Sequence, residues 1–217
     1  MLALVLSFAV LAPPGVTTAD YITGPMQAKV QEHLASGSFP NLKGMDLRIR
    51  ISLAAASPIS DGTREGNGSG SVAVSRSWDI LVVDGKTATI KNAQLGVTAN
   101  AEIVMSEADF RRTQVGDLPQ LEFLRLMQGD REKFALLRRL TGETALSLTT
   151  DHGAPIDVLF RFNGGGGRRT YVTMSYDNMR GVLAGKKNMS WLYVTQKIRH
   201  KGSFALLRES GHILNPG

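Results

Sequence analysis

No cysteine occurs anywhere in the 217-residue sequence. This absence excludes a disulfide framework, a thiolate zinc site, an iron–sulfur cluster and a cysteine nucleophile. Histidine is scarce as well, and the 4 histidines show no HxxxH or HExxH spacing. The sequence therefore predicts no metal site and no cofactor.

Long apolar runs are also missing, apart from one at the start of the chain. That run covers about a dozen residues and ends at Pro13 and Pro14, so it is shorter than the about 20 residues that a membrane-spanning helix needs. It suits the apolar part of a secretory signal, with Thr17 and Ala19 as the small residues at positions −3 and −1 before Asp20. No lysine or arginine precedes the run, which is atypical of a signal, and a buried N-terminal strand or helix is the alternative.

We predict from this pattern that residues 1–19 form a signal peptide and that residues 20–217 form one α+β domain. The mature chain then has no transmembrane span, and the protein is exported, either to a periplasm or as a secreted protein. Export argues against ATP-dependent chemistry, because ATP is scarce outside the cytoplasm.

Positive charge is unevenly distributed along the chain. Residues 1–130 hold 11 Lys/Arg and 13 Asp/Glu (11 − 13 = −2), whereas residues 131–217 hold 14 and 6 (14 − 6 = +8). Such asymmetry favours an anionic partner, such as a lipid head group, an acidic glycan or an acidic protein surface. Nucleic acid fits the charge but not the predicted export. The alternative is a solvated basic face that only aids solubility.

The order of the secondary-structure patterns indicates the fold class. A short N-terminal helix is followed by an alternating strand at 45–56 and by four strands near 71–76, 78–84, 87–93 and 96–105, with Asp84-Gly85 as a tight turn. Two helical segments begin at Ser106 and Asp130, and strands follow at 144–150, 155–162, 169–176 and 188–198. We predict an α+β fold in which a mostly antiparallel, curved meander is covered by a pair of short helices.

The four consecutive glycines at 164–167 stand before Arg168 and Arg169, and this composition is typical of loops that bind phosphate. The spacing fits neither a P-loop nor a dinucleotide-binding motif, and a strand rather than a helix follows. The glycines are therefore predicted to form the mobile tip of an antiparallel hairpin. That tip carries the two arginines, which are candidate ligands for an anion.

Asp151 and His152 are the most enzyme-like neighbours in the sequence. A hydrolase would need a serine nucleophile beside them, and no G-x-S-x-G motif is present. A turn between two strands explains the pair equally well. Asp151 and His152 are kept as weak catalytic candidates.

The remaining candidate site is a basic set in the last third of the chain, interleaved with aromatic residues that offer stacking surfaces. Its predicted ligand-binding members are Arg168, Arg169, Lys186, Lys187, Lys197, Arg199, Lys201, Tyr171 and Trp191. Arg180, His200, Arg208 and Tyr193 belong to the same stretch.

These patterns predict an exported, non-catalytic binding or carrier protein. An apolar cleft with a basic rim would take an anionic or amphipathic ligand, namely a lipid, a glycan or an acidic protein surface. One alternative is a structural subunit of an envelope or virion assembly that docks through its basic C-terminal third. The other alternative is a hydrolase that uses Asp151 and His152.

Overall fold

The computed structural model describes residues 15–35, 44–59, 72–113, 131–151 and 153–214. Their strands are β1 (Leu47–Ala54), β2 (Val74–Val83), β3 (Thr87–Asn92), β4 (Ala101–Ser106), β5 (Gly142–Thr149), β6 (Ile156–Phe162), β7 (Arg169–Ser175) and β8 (Arg199–Gly202). The first helix, α1, consists of three consecutive segments, Thr18–Tyr21, Ile22–Met26 and Gln27–Ala35. The other helices are α2 (Glu107–Thr113), α3 (Arg131–Arg139), α4 (Tyr176–Leu183), α5 (Met189–Val194) and α6 (Phe204–Leu214). No helix in these ranges is long and apolar enough to cross a bilayer.

The eight strands form one open, mixed sheet in the order β3-β2-β1-β4-β6-β5-β7-β8. Neighbouring strands are antiparallel except for the pairs β1–β4 and β5–β7, which are parallel. The predicted α+β fold with a mostly antiparallel sheet is therefore confirmed. Of the meander predicted from the strands at 71–76, 78–84, 87–93 and 96–105, only the β2–β3 hairpin holds, because β4 pairs with β1 rather than with β3. The two strands expected at 71–76 and 78–84 form the single strand β2.

The two halves of the sheet repeat one topology. The first strand of each half, β1 or β5, is central. The next strand, β2 or β6, pairs with it antiparallel on one side, and a later strand, β4 or β7, pairs with it parallel on the other. A helix follows the last strand directly, and its first turn is capped by a serine: Ser106 accepts from the amide of Asp109, and Ser175 accepts from that of Asn178. Buried Met105 and Met174 precede these serines. The chain thus builds the sheet from two similar units joined between β4 and β6.

All helices described pack on one face of the sheet, which we call the helix face. Alternate residues of every strand from β1 to β7 point into that layer and join one continuous apolar core. Helix α1 contributes Met26, Val30 and Leu34, which recur every four residues, and all three are buried. Pro25 lies inside the π-helical segment, where the widened turn accommodates its missing N–H. The predicted cleavage point after Ala19 falls in the first turn of α1, and the signal peptide stays a prediction.

Two sequence-based expectations about local structure are wrong. Residues 188–198 were expected to form a strand, but Met189–Val194 is helix α5, because the side chain of Asn188 accepts from the amides of Ser190 and Trp191 and starts a helix there. The layer of helices over the sheet is also not the predicted pair. The first helix of that pair begins at Ser106 as expected and is described as far as Thr113, and the residues that follow it lie outside the described ranges.

The glycine run also differs from its prediction. Strands β6 and β7 are not neighbours, so the loop is a crossover beneath the start of β5 rather than the tip of a hairpin. All four glycines of residues 164–167 have positive φ, between 69° and 94°, which glycine adopts without strain. A Cβ on Gly165 would lie 3.1 Å from the carboxylate of Glu143, and one on Gly142 would lie 2.8 Å from the carbonyl of Arg168. The glycines let the chain turn tightly around β5.

The second face, which we call the open face, carries a row of alternating charges. Seven adjacent strands place one charged residue each in direct register, so that positive and negative side chains alternate across the sheet. The row comprises Lys91, Asp79, Arg50, Glu102, Arg161, Glu143 and Arg169. Opposite charges directly across neighbouring strands stabilise the pairing, and a one-residue shift of any strand would remove its charge from the row.

Asp79 is the most deeply buried member of the row. Its carboxylate has no exposed surface and accepts from Arg50 Nε at 2.7 Å and from Arg48 Nη1 at 3.2 Å. Hydrogen bonding to Asp79 is the main reason that the pKa of Arg50 lies above its ordinary value, against the opposing effect of burial. Arg50 also donates to the carbonyls of Gln94 and Val97, which belong to the segment that leads from β3 to β4. The ion pair thereby anchors this crossover.

Asp79→Asn should lower the free energy of unfolding by about 2–4 kcal/mol, because it leaves two half-buried arginines without their counter-charge. Urea denaturation followed by far-ultraviolet circular dichroism measures the change. Asp151→Asn, which neutralises an exposed loop carboxylate, is the matched control and should change stability by less than about 0.5 kcal/mol. Equal unfolding midpoints for the two variants would contradict the anchoring role of Asp79.

Candidate functional site

Exposed apolar side chains concentrate at the end of the described chain. Seven large hydrophobic residues are exposed in the described ranges, and four of them lie on α5 or at the start of α6. Val194 is 72% exposed, Trp191 65% and Phe204 53%, and Tyr193 is also exposed. Scattered exposed hydrophobics need no explanation, whereas several on one short stretch of chain make that surface the candidate binding site.

A groove of about 340 Å³ runs between α5 and α6 beside this cluster. Its lining is mostly apolar, and none of its residues is acidic. The lining residues are Met189, Ser190, Tyr193, Val194, Ile198, Phe204, Leu207, Arg208, Gly211 and His212.

Short-range interactions place α5 at the wall of the groove. The Asn188 cap begins the helix, and Leu192 anchors it in the core. The helix ends after six residues, where Gln196 takes a positive φ of 57° and the amide of Lys197 donates to the carbonyl of Leu192 at 2.9 Å. Buried Ile198 then leads into β8. Leu192 is the one buried residue of this short helix, so most of the apolar surface of α5 remains exposed to solvent.

Three rings connect α5, β8 and α6 at one end of the groove. Tyr193, His200 and Phe204 lie with their ring centroids 5.4–5.8 Å apart in all three pairs. These distances are typical of favourable aromatic pairs. His200 lies opposite Val172 of β7, a core residue, so its ring is on the helix face. The cluster gives the groove an aromatic end wall.

Positive charge lies directly in the groove. Arg208 and His212 line it from α6, and both are exposed. Arg208 makes no ion pair within the residues that the structure describes, unlike Arg168, which donates to Glu209 at 2.7 Å and to the carbonyl of Thr141 at 3.1 Å. An apolar surface with an unneutralised arginine and no acid is suited to the apolar part of an anionic molecule.

The structure divides the predicted basic set among several places. Arg168 and Arg169 are held by Glu209 and Glu143, at the glycine crossover. Lys187 donates to Asn178 at 2.7 Å, and its aliphatic stem packs on Gly181 between α4 and α5. Lys186 and Lys197 are exposed in the turns before and after α5.

Another part of the set lies on the opposite side of the sheet from the groove. Arg199 and Lys201 of β8 are exposed on the open face, opposite Thr173 and Tyr171 of β7. Tyr171 therefore does not stack with Trp191, which lies on α5 at the helix face. Arg199 and Lys201 share one face of β8, whereas Lys197 precedes the strand.

Of the weak catalytic candidates, Asp151 is exposed in the turn after β5, and His152 lies outside the described residues. A buried carboxylate occurs at the start of β6, where Asp157 accepts from Ser57 at 2.7 Å and from Ser147 at 2.8 Å. The two serine hydroxyls satisfy this carboxylate. In the described ranges, no three histidine, aspartate or glutamate residues converge to hold a metal ion.

Sequence reasoning missed Val194, Phe204 and His212 as groove residues. The signal that could have found them is the Asn188 cap, which turns an apparently alternating strand into a short helix with an exposed apolar side. No protein-family model matches the chain, and a search of the curated proteins found no significant match.

Proposed function

We propose that this protein is a non-catalytic binding protein whose α5–α6 groove takes the apolar part of an anionic amphipathic ligand. The observation that carries the proposal is the coincidence of an exposed aromatic groove, an arginine in its wall that makes no ion pair with any described residue, and the lack of any acid in its lining. Export of the protein is part of the proposal, and the apolar N-terminal segment supports it.

Burial of the exposed cluster would supply the main binding energy. Each large apolar side chain moved fully out of water contributes about 1.5–3 kcal/mol, so covering the partly exposed Trp191, Tyr193, Val194 and Phe204 contributes less than about 6–12 kcal/mol, from which the costs of association are subtracted. The volume of about 340 Å³ is at the low end of the about 300–1,000 Å³ of ordinary ligand sites. It suits one ring system, one short chain or a few side chains.

Charge would then select among apolar ligands. Arg208 and His212 face the groove, and the surrounding third of the chain carries 14 Lys/Arg and 6 Asp/Glu. An exposed ion pair contributes only about 0.2–1 kcal/mol to the free energy of binding. Charge therefore affects the choice of ligand and the association rate more than the affinity. A cationic amphipath of the same size should therefore bind more weakly.

The anionic aromatic probe 8-anilinonaphthalene-1-sulfonate should bind the groove and quench or shift the emission of Trp191. The chain has 2 tryptophans, and Trp78 is buried beneath the helices, so the change reports on α5. Val194→Asp should weaken binding about tenfold or more, because it places a charge in the apolar wall. Leu95→Asp, at an exposed apolar residue outside the groove, is the matched control and should bind as the native protein does.

Arg208→Glu should weaken binding of the same probe about threefold to tenfold at low salt, and should flatten the dependence of affinity on salt concentration. Arg76→Glu makes the same charge change on β2, near the far end of the sheet, and should leave both quantities unchanged. Equal losses in the two variants would attribute the effect to net charge and would contradict a role for the groove arginine.

A further inference from the structure

We propose that the ligand is an extended peptide in which acidic and apolar residues alternate, and that it adds as a strand to the free edge of β8. This inference rests on the proposed function, since the apolar side chains of the peptide would occupy the α5–α6 groove. It goes further in naming the class of partner and the backbone that binds it.

The two edges of the sheet differ in whether side chains bond their outer backbone groups. At β3 the edge is closed by α1: Gln31 accepts from the amide of Ala88 at 2.8 Å and donates to the carbonyl of Lys86 at 3.3 Å, and Gln27 accepts from the amide of Ile90 at 3.1 Å. The side-chain amide of Gln31 thus bonds as the backbone of another strand would. Such protection prevents a further strand from pairing there.

Strand β8 is the other edge, and no described side chain bonds its outer backbone in this way. The amide of Ser203 donates to the carbonyl of Arg169, so these two residues form a hydrogen-bonded pair of the antiparallel ladder. Alternation along the ladder then points the N–H and C=O groups of His200 and Gly202 away from β7. Applied to β3, the same rule predicts that the N–H groups of Ala88 and Ile90 point away from β2. These two amides do donate to the side chains of Gln31 and Gln27.

The side chains of β8 define what an added strand would need. His200 is on the helix face, against Tyr193 and Phe204, whereas Arg199 and Lys201 are on the open face. In a paired strand, residues opposite His200 would point toward the aromatic end of the groove, and residues opposite Arg199 and Lys201 would meet positive charge. Apolar and acidic residues at alternate positions satisfy both faces.

A peptide strand fits these positions better than a lipid does. The cations of the region lie on both faces of the sheet, with Arg208 on the helix face and Arg199 and Lys201 on the open face. A single head group or a flat bilayer surface reaches one face at a time. A strand at the edge of the sheet reaches both, because its side chains alternate.

The probe for this inference is a fluorescent eight-residue peptide of alternating aspartate and leucine, titrated with the full chain and followed by anisotropy. Methylation of the peptide amides that face β8 should abolish binding, whereas methylation of the amides on the opposite edge should leave it within twofold. A peptide of the same composition with the aspartates and leucines in separate blocks should bind at least tenfold more weakly. Equal effects of the two methylation patterns would overturn strand addition.

Two variants at one residue test the same edge from the protein side. His200→Ala removes the ring but keeps the outward N–H, while His200→Pro removes both, at a position where an edge strand tolerates proline. The peptide should bind His200→Pro at least fivefold more weakly than His200→Ala. Thermal unfolding and far-ultraviolet circular dichroism verify that both variants fold, and equal peptide affinities in folded variants would overturn the inference.

The outcomes separate this inference from the proposed function. Binding of 8-anilinonaphthalene-1-sulfonate that is sensitive to Val194→Asp, without binding of the peptide, overturns the peptide and leaves the groove in place. Vesicles of phosphatidylglycerol that bind with the same sensitivity, again without peptide binding, identify a lipid as the ligand. Absence of binding by all three probes overturns both proposals.

Discussion

The burial of Asp79 between two arginines is the constraint on which the open face depends. A carboxylate without solvent is costly unless hydrogen-bond donors or opposite charges surround it, and Arg48 and Arg50 supply both. Because Arg50 also bonds the carbonyls of Gln94 and Val97, the same pair fixes the route by which the chain leaves β3 and enters β4. That route makes β4 parallel to β1, which is the feature that distinguishes this sheet from a simple meander.

The charged row continues across the seam between the two similar halves. Arg161 of β6 reaches Glu102 of β4 and Glu143 of β5, and Glu143 also holds Arg169 of β7. The acids in the middle of the sheet are therefore neutralised by arginines within the row. Beyond the end of the row, exposed cations lie on β8, at Arg199 and Lys201, and on α6, at Arg208. Other exposed cations of this third lie on α3 and in the turns around α5.

Local patterns predicted the elements that depend on neighbouring residues. The Asp84-Gly85 turn, where both residues have positive φ, and the buried stripe of α1 follow from short-range sequence alone. The strand order did not, because the parallel pairs depend on crossovers whose length and polarity resemble hairpin loops. The glycine run shows the limit: its composition indicates a tight turn, but only its closeness to Glu143 shows that the turn encircles another strand. Likewise, sequence cannot distinguish Arg168, which pairs with Glu209, from Arg208, which pairs with no described acid.

The unequal edges of the sheet connect the fold to binding. An unprotected strand edge beside exposed aromatic surface promotes aggregation, and proteins usually cover or charge such edges. This chain does so at β3 with Gln31, and at β8 it supplies the exposed cations Arg199 and Lys201. Those cations disfavour pairing with a second copy of the same basic edge. The same charges would favour the acidic strand proposed as the ligand, as Arg208 would in the neighbouring groove.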